Sequence, residues 1–447
     1  MMWRTMRLFL IIWAGQFVSQ IGTALTRFAL LVWLYGESGS VFDVALLGFF
    51  SFLPAFLISP IAGVWVDRLN RRTVMLLADL IAGLTTVWLL GLYSLGELQT
   101  WHLYVAQVLA GAAEAFQSPA YAAATTALVR KEAYGRANGL RSLANNGAMV
   151  VSPFLAGLLL QWIGLGGVMV IDLLTFAVAV TTLAITRIPR PQPVDGESDG
   201  QPPSGFWAEL RAGIEYTRAR PGLVGIMLVY TGMNFAAALT YYATLPAMIL
   251  GRSGGNEFAL ATVQATLGGS AVVGALIVSI WGGPRRKIHG VLSGAALSFL
   301  AGDLLLALGR DLPGWVVGAV ASAILVPLID SCNMAILQAK VAPAMQGRFF
   351  SLFHMARQSL IPVGYLAGGL LAERWLEPGM APGAPLALRF GWLVGDGPGA
   401  GIALMFVATA LLGGALALAG YLFTAVREIE DQLQDYELTP VAVGQPG

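Results

Sequence analysis

The residues of this chain able to do chemistry are few, and they are spaced like points on helices. Gln16, Gln20, Thr23 and Arg27 fall at i, i+4, i+7 and i+11, one continuous helical face. Glu114, Gln117 and Tyr121 share a second face, Tyr230, Asn234 and Tyr241 a third, and Asp330 and Asn333 a fourth. Each stripe sits in an otherwise apolar stretch. A charge at the centre of a bilayer costs roughly 2.5 to 3.5 kcal/mol on insertion scales, so such groups face a cavity or a partner. A carboxyl in a cavity that opens to either side can take up and release a proton. Glu114, near the middle of its stretch, is the first candidate for that role and Asp330 the second. The alternative for Glu114 is a structural hydrogen bond or a pairing with Arg27 or Arg357. Gln16, Gln20, Arg27, Gln117, Tyr230, Asn234, Tyr241 and Asn333 are the candidate substrate-binding residues.

The elements that must hold these stripes follow from composition. Of 447 residues, 57% are hydrophobic and 11% charged, against roughly 25% charged in soluble domains. Mean hydropathy is +0.71. So much apolar surface needs lipid, and the chain is expected to be an all-α, polytopic membrane protein. A formal net charge of +1 gives no reason to expect a nucleic-acid partner. The single cysteine, Cys332, cannot form an intramolecular disulfide, and its apolar setting suits packing.

Twelve stretches reach the length of about 20 residues that a spanning helix needs. They are 7–34, 42–66, 73–95, 101–128, 138–161, 166–186, 222–250, 258–282, 288–309, 313–338, 349–374 and 399–426. The first is expected to be a retained span rather than a cleaved leader, because its apolar run is too long for a signal-peptide core. A Pro- and Gly-rich acidic segment after residue 186 divides the chain. The expected organisation is a six-helix bundle over 1–186, a cytoplasmic linker over 187–221, a second six-helix bundle over 222–426 and a cytoplasmic tail over 427–447. Within the linker Trp207, Leu210 and Ile214 share a face, which fits a short helix lying on the membrane or packed on the protein. The polar stripes fall in spans 1, 4, 7 and 10, matched members of the two halves. Duplicated halves of this kind place a substrate site between them near the bilayer midplane.

Counting Lys and Arg by alternate loops puts 20 on one side and only Arg252, Arg310, Arg374 and Arg389 on the other. The richer side, which includes both termini, is expected to be cytoplasmic. Asp79, Asp172 and Asp303 lie nearer span ends, where helix-end or interhelical hydrogen bonds are the expected role. His354, Arg357 and Gln358 suit a gate or a structural network.

One charged loop asks for more than topology. "GVWVDRLNRRTV", residues 63–74, joins spans 2 and 3, and its pattern of Gly63, Asp67, Arg68, Arg71 and Arg72 resembles the loop signature of the major facilitator superfamily. Asn70 stands where that family usually has Gly. Gly63 permits close helix approach, and Asp67 can accept from a helix N-terminus and pair with an arginine, so the cluster could latch the cytoplasmic side. In span 5, Ser152, Pro153 and Gly157, with Ala148 and Ala156, resemble the antiporter signature of the family's drug exporters. Gln107 stands four residues before Gly111, where the family often has arginine. Across all twelve spans, including "FQSPAYAAAT" and "GRANGL", the chain resembles the macrolide-efflux-like, drug:proton antiporter branch.

That resemblance implies the major facilitator fold and proton-coupled export of amphipathic small molecules by alternating access. It also implies a monomer in the inner (plasma) membrane of a bacterium, with no cofactor. The rival of the same fold is an uncoupled facilitator or a transporter of lipid or another solute. An ATP-driven pump is excluded, since none of the three lysines is followed by Ser or Thr as a phosphate-cradling loop requires. No H-E-x-x-H, C-x-x-C or G-x-S-x-G occurs, so neither a metal centre nor an enzymatic nucleophile is expected.

Overall fold

The computed structural model describes residues 6–129, 134–186, 206–242 and 244–436. All twelve expected stretches are helical over those residues, and no strand occurs among them. The chain runs through α1 (Arg7–Ser38), α2 (Val41–Arg68), α3 (Arg71–Ser94), α4 (Thr100–Leu128) and the 52-residue α5 (Tyr134–Ile185). α5 holds the fifth and sixth spans. The break between them is Gly164, whose φ of 64° lies in the left-handed region that a residue with a Cβ avoids.

The short helix α6 (Phe206–Arg218) precedes the second set of spans. It packs on the protein: the Tyr216 hydroxyl accepts from the Ala342 N–H at 3.0 Å, and the Arg220 guanidinium stacks 3.7 Å from the Tyr216 ring centroid. The seventh span is α7 (Pro221–Ala237), a π-helical turn (Ala238–Tyr242) and α8 (Leu245–Arg252). α9 (Glu257–Trp281) is the eighth. The ninth is α10 (Lys287–Leu297), a π-helical segment (Ser298–Asp303) and α11 (Leu304–Leu308). The tenth divides into α12 (Leu312–Ala323) and α13 (Val326–Lys340). The eleventh is α14 (Pro343–Ser359), α15 (Ile361–Leu371) and a third π-helical turn (Ala372–Leu376); α16 (Pro385–Val394) lies in the loop before the last span, α17 (Ala400–Leu422).

Nine helices among the described residues are long and apolar enough to cross a membrane. α4 is not one of them, for a physical reason: Gln107, Glu114 and Gln117 lower its hydropathy. Their place in the fold accounts for them, as shown below.

Local chemistry sets several helix starts. Ser40 caps α2 by accepting from Asp43 N–H, Asn256 caps α9 and Asp311 caps α12. Asn70 caps α3 in the same way, its side-chain oxygen accepting from Arg72 N–H at 3.0 Å. Its φ is −69°, so this turn needs no glycine. Arg71 and Arg72 close the opposite ends of other helices. Arg71 donates to the Ala123 carbonyl at 2.9 Å, and Arg72 to Leu183 at 3.0 Å and to Ala184, which places cations where the helix dipole favours them.

The first six spans meet the last six chiefly at the end away from the arginine-rich loops. There α2 lies along α15, and the second half of the fifth span lies along α9. Gly157 makes the latter approach possible: a Cβ on it would stand 2.6 Å from the Ala261 Cβ. At the rim, one oxygen of Glu373 accepts from the Ser40 hydroxyl at 2.6 Å and from Phe42 N–H at 2.8 Å. A residue of the eleventh span thereby adds its charge to the cap that Ser40 forms on the second.

Candidate functional site

The polar stripes of α1 and α4 converge on a cavity of about 440 Å³ lined by spans 1, 3, 4, 5 and 6. Gln16, Gln20, Thr23 and Arg27 line it from α1; Gln107, Glu114, Gln117 and Tyr121 line it from α4. α3 contributes Asp79 and Thr86, and α5 contributes Arg141, Met149, Asp172 and Phe176.

Two buried carboxylates organise the walls. Asp79, 4% exposed, accepts from Gln16 at 2.9 Å and from Gln117 at 2.6 Å, and Gln117 also donates to the Gln16 side-chain oxygen at 3.0 Å. Three spans are thus tied together at one level. Asp172 accepts from Thr23 at 3.2 Å and Thr86 at 3.0 Å, tying α1, α3 and the sixth span at another. A buried carboxylate without such donors would be strongly destabilising, so these bonds fix both groups. Asp79 and Asp172 therefore serve interhelical hydrogen bonding while also forming cavity wall, a placement their positions near span ends did not suggest.

Glu114 behaves differently. Its side chain is exposed to the cavity and has neither a hydrogen bond nor an ion pair among the described residues, and Arg27 likewise has none. The alternative considered for Glu114, a pairing with Arg27 or Arg357, is therefore not formed among the described residues. Other lining groups carry unused hydrogen-bonding capacity on buried atoms, among them Gln20 Oε1, Gln107 Oε1, the Tyr121 hydroxyl and Arg141 Nε. Arg141 stacks over Tyr121, 4.8 Å from the ring centroid.

The stripes of the second half do not reach this cavity. Tyr230 is buried and donates to the Ile329 carbonyl at 3.0 Å, while Asn234 donates to the Tyr230 carbonyl one turn back in its own helix. Tyr241 points at Asp303 and Ser322: its hydroxyl donates to the Asp303 carboxylate, which Ser322 also reaches at 2.8 Å. Tyr241 and Asp303 meet there because each lies in a π-helical segment, a departure from α-helical phase that period 3.6 does not anticipate. Asn333 is buried with its Oδ1 unpartnered. Asp330 forms an ion pair with Arg357 at 3.6 Å. This cavity is lined by residues of the first half alone. Seen from that half, the expectation brings together Gln16, Gln20, Arg27, Glu114 and Gln117.

Of the loop cluster, Arg71 and Arg72 hold helix C-termini as described, while Gly63 and the side chains of Asp67 and Arg68 lie outside the described residues. Ser152 donates to the Ile21 carbonyl at 3.2 Å, and Pro153 lies inside α5. With Gly157 at the contact between halves, the antiporter-like stretch touches both α1 and α9.

The Major Facilitator Superfamily profile matches residues 12–365. The chain belongs to the major facilitator superfamily. It is a membrane-spanning transporter of that superfamily and not an enzyme. Macrolide efflux protein A of Streptococcus pyogenes is 28% identical over 371 residues, covering 82% of this chain and 89% of that one. Macrolide efflux protein A of Enterococcus faecalis is 28% identical over 332 residues, covering 73% and 99%. The enterobactin exporter EntS of Escherichia coli O1:K1 / APEC is 26% identical over 369 residues, covering 80% and 84%. Among solved structures, the nucleoside transporter NupG superposes with a TM-score of 0.65 at 14% identity over 92% of this chain and 98% of that one. A bacterial homologue of the iron transporter ferroportin gives 0.63 at 14%, over 93% and 98%. These superpositions establish the fold.

Proposed function

We propose that this transporter exports amphipathic small molecules of the macrolide type from a bacterial cytoplasm or inner leaflet, by alternating access and coupled to proton influx, with both termini cytoplasmic. The observation that carries the reading is the mid-span cavity with Glu114 unpaired on its wall, in a chain whose relatives include macrolide efflux proteins and an enterobactin exporter. An intramembrane carboxyl that faces a cavity and lacks a fixed partner is placed to exchange a proton. Asp330, held by Arg357 on the side chains' half-exposed face, is better suited to keeping α13 and α14 in register. Coupling in this reading therefore rests on the first half, and Asp330 takes a structural role.

One charge moving with the field gains about 2.3 kcal/mol per 100 mV, enough for more than tenfold accumulation. Rocking of the halves about the contacts at Gly157 and Glu373 would expose the cavity to each side in turn, working in the monomer. The test is radiolabelled erythromycin in proteoliposomes with an imposed pH gradient. Gradient-dependent export by the wild type that is lost in Glu114→Gln is expected; export indifferent to the gradient would overturn coupling and favour the uncoupled facilitator.

A further inference from the structure

We propose that the cavity of the first six spans is a bipolar site, selecting amphipaths that carry a protonated amine at one end and a carboxylate at the other. The proposal rests on the exporter reading above and ranks the amphipaths it takes: bipolar ones bind most tightly, and those with an amine alone, such as erythromycin, bind about as weakly as an ester that lacks the carboxylate.

Register fixes the distance between the two poles. Gln16 and Gln117 are hydrogen-bonded across antiparallel α1 and α4, which sets the relative height of the two helices. Arg27 lies eleven residues beyond Gln16, and Glu114 three residues beyond Gln117 in the same direction. At 1.5 Å per residue their backbones differ in height by about 12 Å. The two side chains make no ion pair, so neither neutralises the other. Arg27 lies close enough to the Asp172 carboxylate to act on it electrostatically but donates no hydrogen bond to it, so its guanidinium N–H groups remain available to a ligand carboxylate.

The buried groups with unused capacity follow the same polarity. Gln107, ten residues beyond Gln117, stands level with Arg27, and its Oε1 can accept from a hydroxyl or amide of the ligand. Gln20 Oε1 stands beside Glu114 in height, a second acceptor for an amine's N–H bonds. An ammonium needs several acceptors and a carboxylate needs a planar pair of donors, which a guanidinium supplies. Buried polar atoms without partners are rare in folded proteins, and their gathering on one cavity wall points to recognition rather than packing. A ligand lacking either charge leaves Glu114 or Arg27 unpaired within a partly desolvated cavity, the arrangement that gives polar sites their discrimination.

The experiment uses the full-length protein in lipid nanodiscs and three matched probes: norfloxacin, its ethyl ester and its N-acetyl derivative. The wild type is expected to bind norfloxacin at least tenfold more tightly than either derivative. Glu114→Gln should abolish the preference over the N-acetyl compound and keep the preference over the ester; Arg27→Gln should do the reverse. Glu114→Asp and Arg27→Lys keep the charges and should retain the matching preference, which separates recognition from misfolding. Equal wild-type binding of all three probes, or loss of both preferences together in each Gln variant, overturns the bipolar site. Erythromycin export with no such binding pattern would sink this proposal alone; the binding pattern without export of any probe would sink the exporter reading alone.

Discussion

Removing the carboxylate of Glu373 tests how the two halves are held together. Its Oε2 receives two hydrogen bonds across the interface, from the Ser40 hydroxyl and from Phe42 N–H. Hydrogen bonds to a charged group are worth about 1.5–3 kcal/mol each in buried settings, and this pair lies at the exposed rim, so about 1 kcal/mol each is the appropriate scale. Glu373→Ala should therefore weaken closure at that end by about 2 kcal/mol, roughly a 30-fold change in the closed-to-open ratio. Glu373→Gln, which keeps an acceptor and loses the charge, should shift it about fivefold. Ala45, fully buried on α2 beside Gly369 of α15, reports opening. With Cys332, the sole cysteine, replaced by Ala, the alkylation rate of Ala45→Cys tracks the open fraction even when that fraction is small. Rates that rise about 30-fold and fivefold support the latch. Unchanged rates in both variants refute it.

Three further outcomes follow from contacts already described or adjoining them. Glu430 caps α10 by accepting from Lys287 N–H at 3.1 Å and Ile288 N–H at 2.9 Å, so Glu430→Ala should destabilise the purified protein by about 1 kcal/mol, read as a lower Tm. Lys340 is only 5% exposed and is held by the Glu430 and Leu433 carbonyls and by Asp435 at 2.7 Å; ending the chain at Arg427 removes all three and should cost about 3–5 kcal/mol, read as a lower Tm. Asp303→Leu should lower Tm more than Asp303→Asn, because the amide still offers an oxygen to Tyr241 and Ser322, whereas leucine leaves the two hydroxyls only their 2.6 Å bond to each other and one O–H without an acceptor, a cost of about 1–3 kcal/mol.

The helical spans were legible because lipid imposes long apolar runs, and the stripe on α1 was legible because a regular helix keeps period 3.6. The same rule failed for Tyr241, where a π-helical turn rotates the side chain toward Asp303. It also missed Asp79 and Asp172. Their partners, Gln16, Gln117, Thr23 and Thr86, come from other helices, and sequence spacing carries no information on which faces of separate helices meet. The placement of the cavity within one half was illegible for a related reason: polar residues at matched positions of two halves are equally consistent with a shared void or with separate hydrogen-bond clusters. Asn70 shows the converse, a departure from a familiar loop pattern that local chemistry explains, since an N-cap side chain there does what a turn glycine would not.

The central claim is that substrate passes through the cavity between α1, α3, α4 and α5. Ala110 lines that cavity from α4, and Ala110→Trp would fill it without touching the second half. Erythromycin transport by this variant, at a Tm matching the wild type, should be abolished, while Ser322→Ala in the second half should retain most of it. Transport by Ala110→Trp at the wild-type rate would contradict the account.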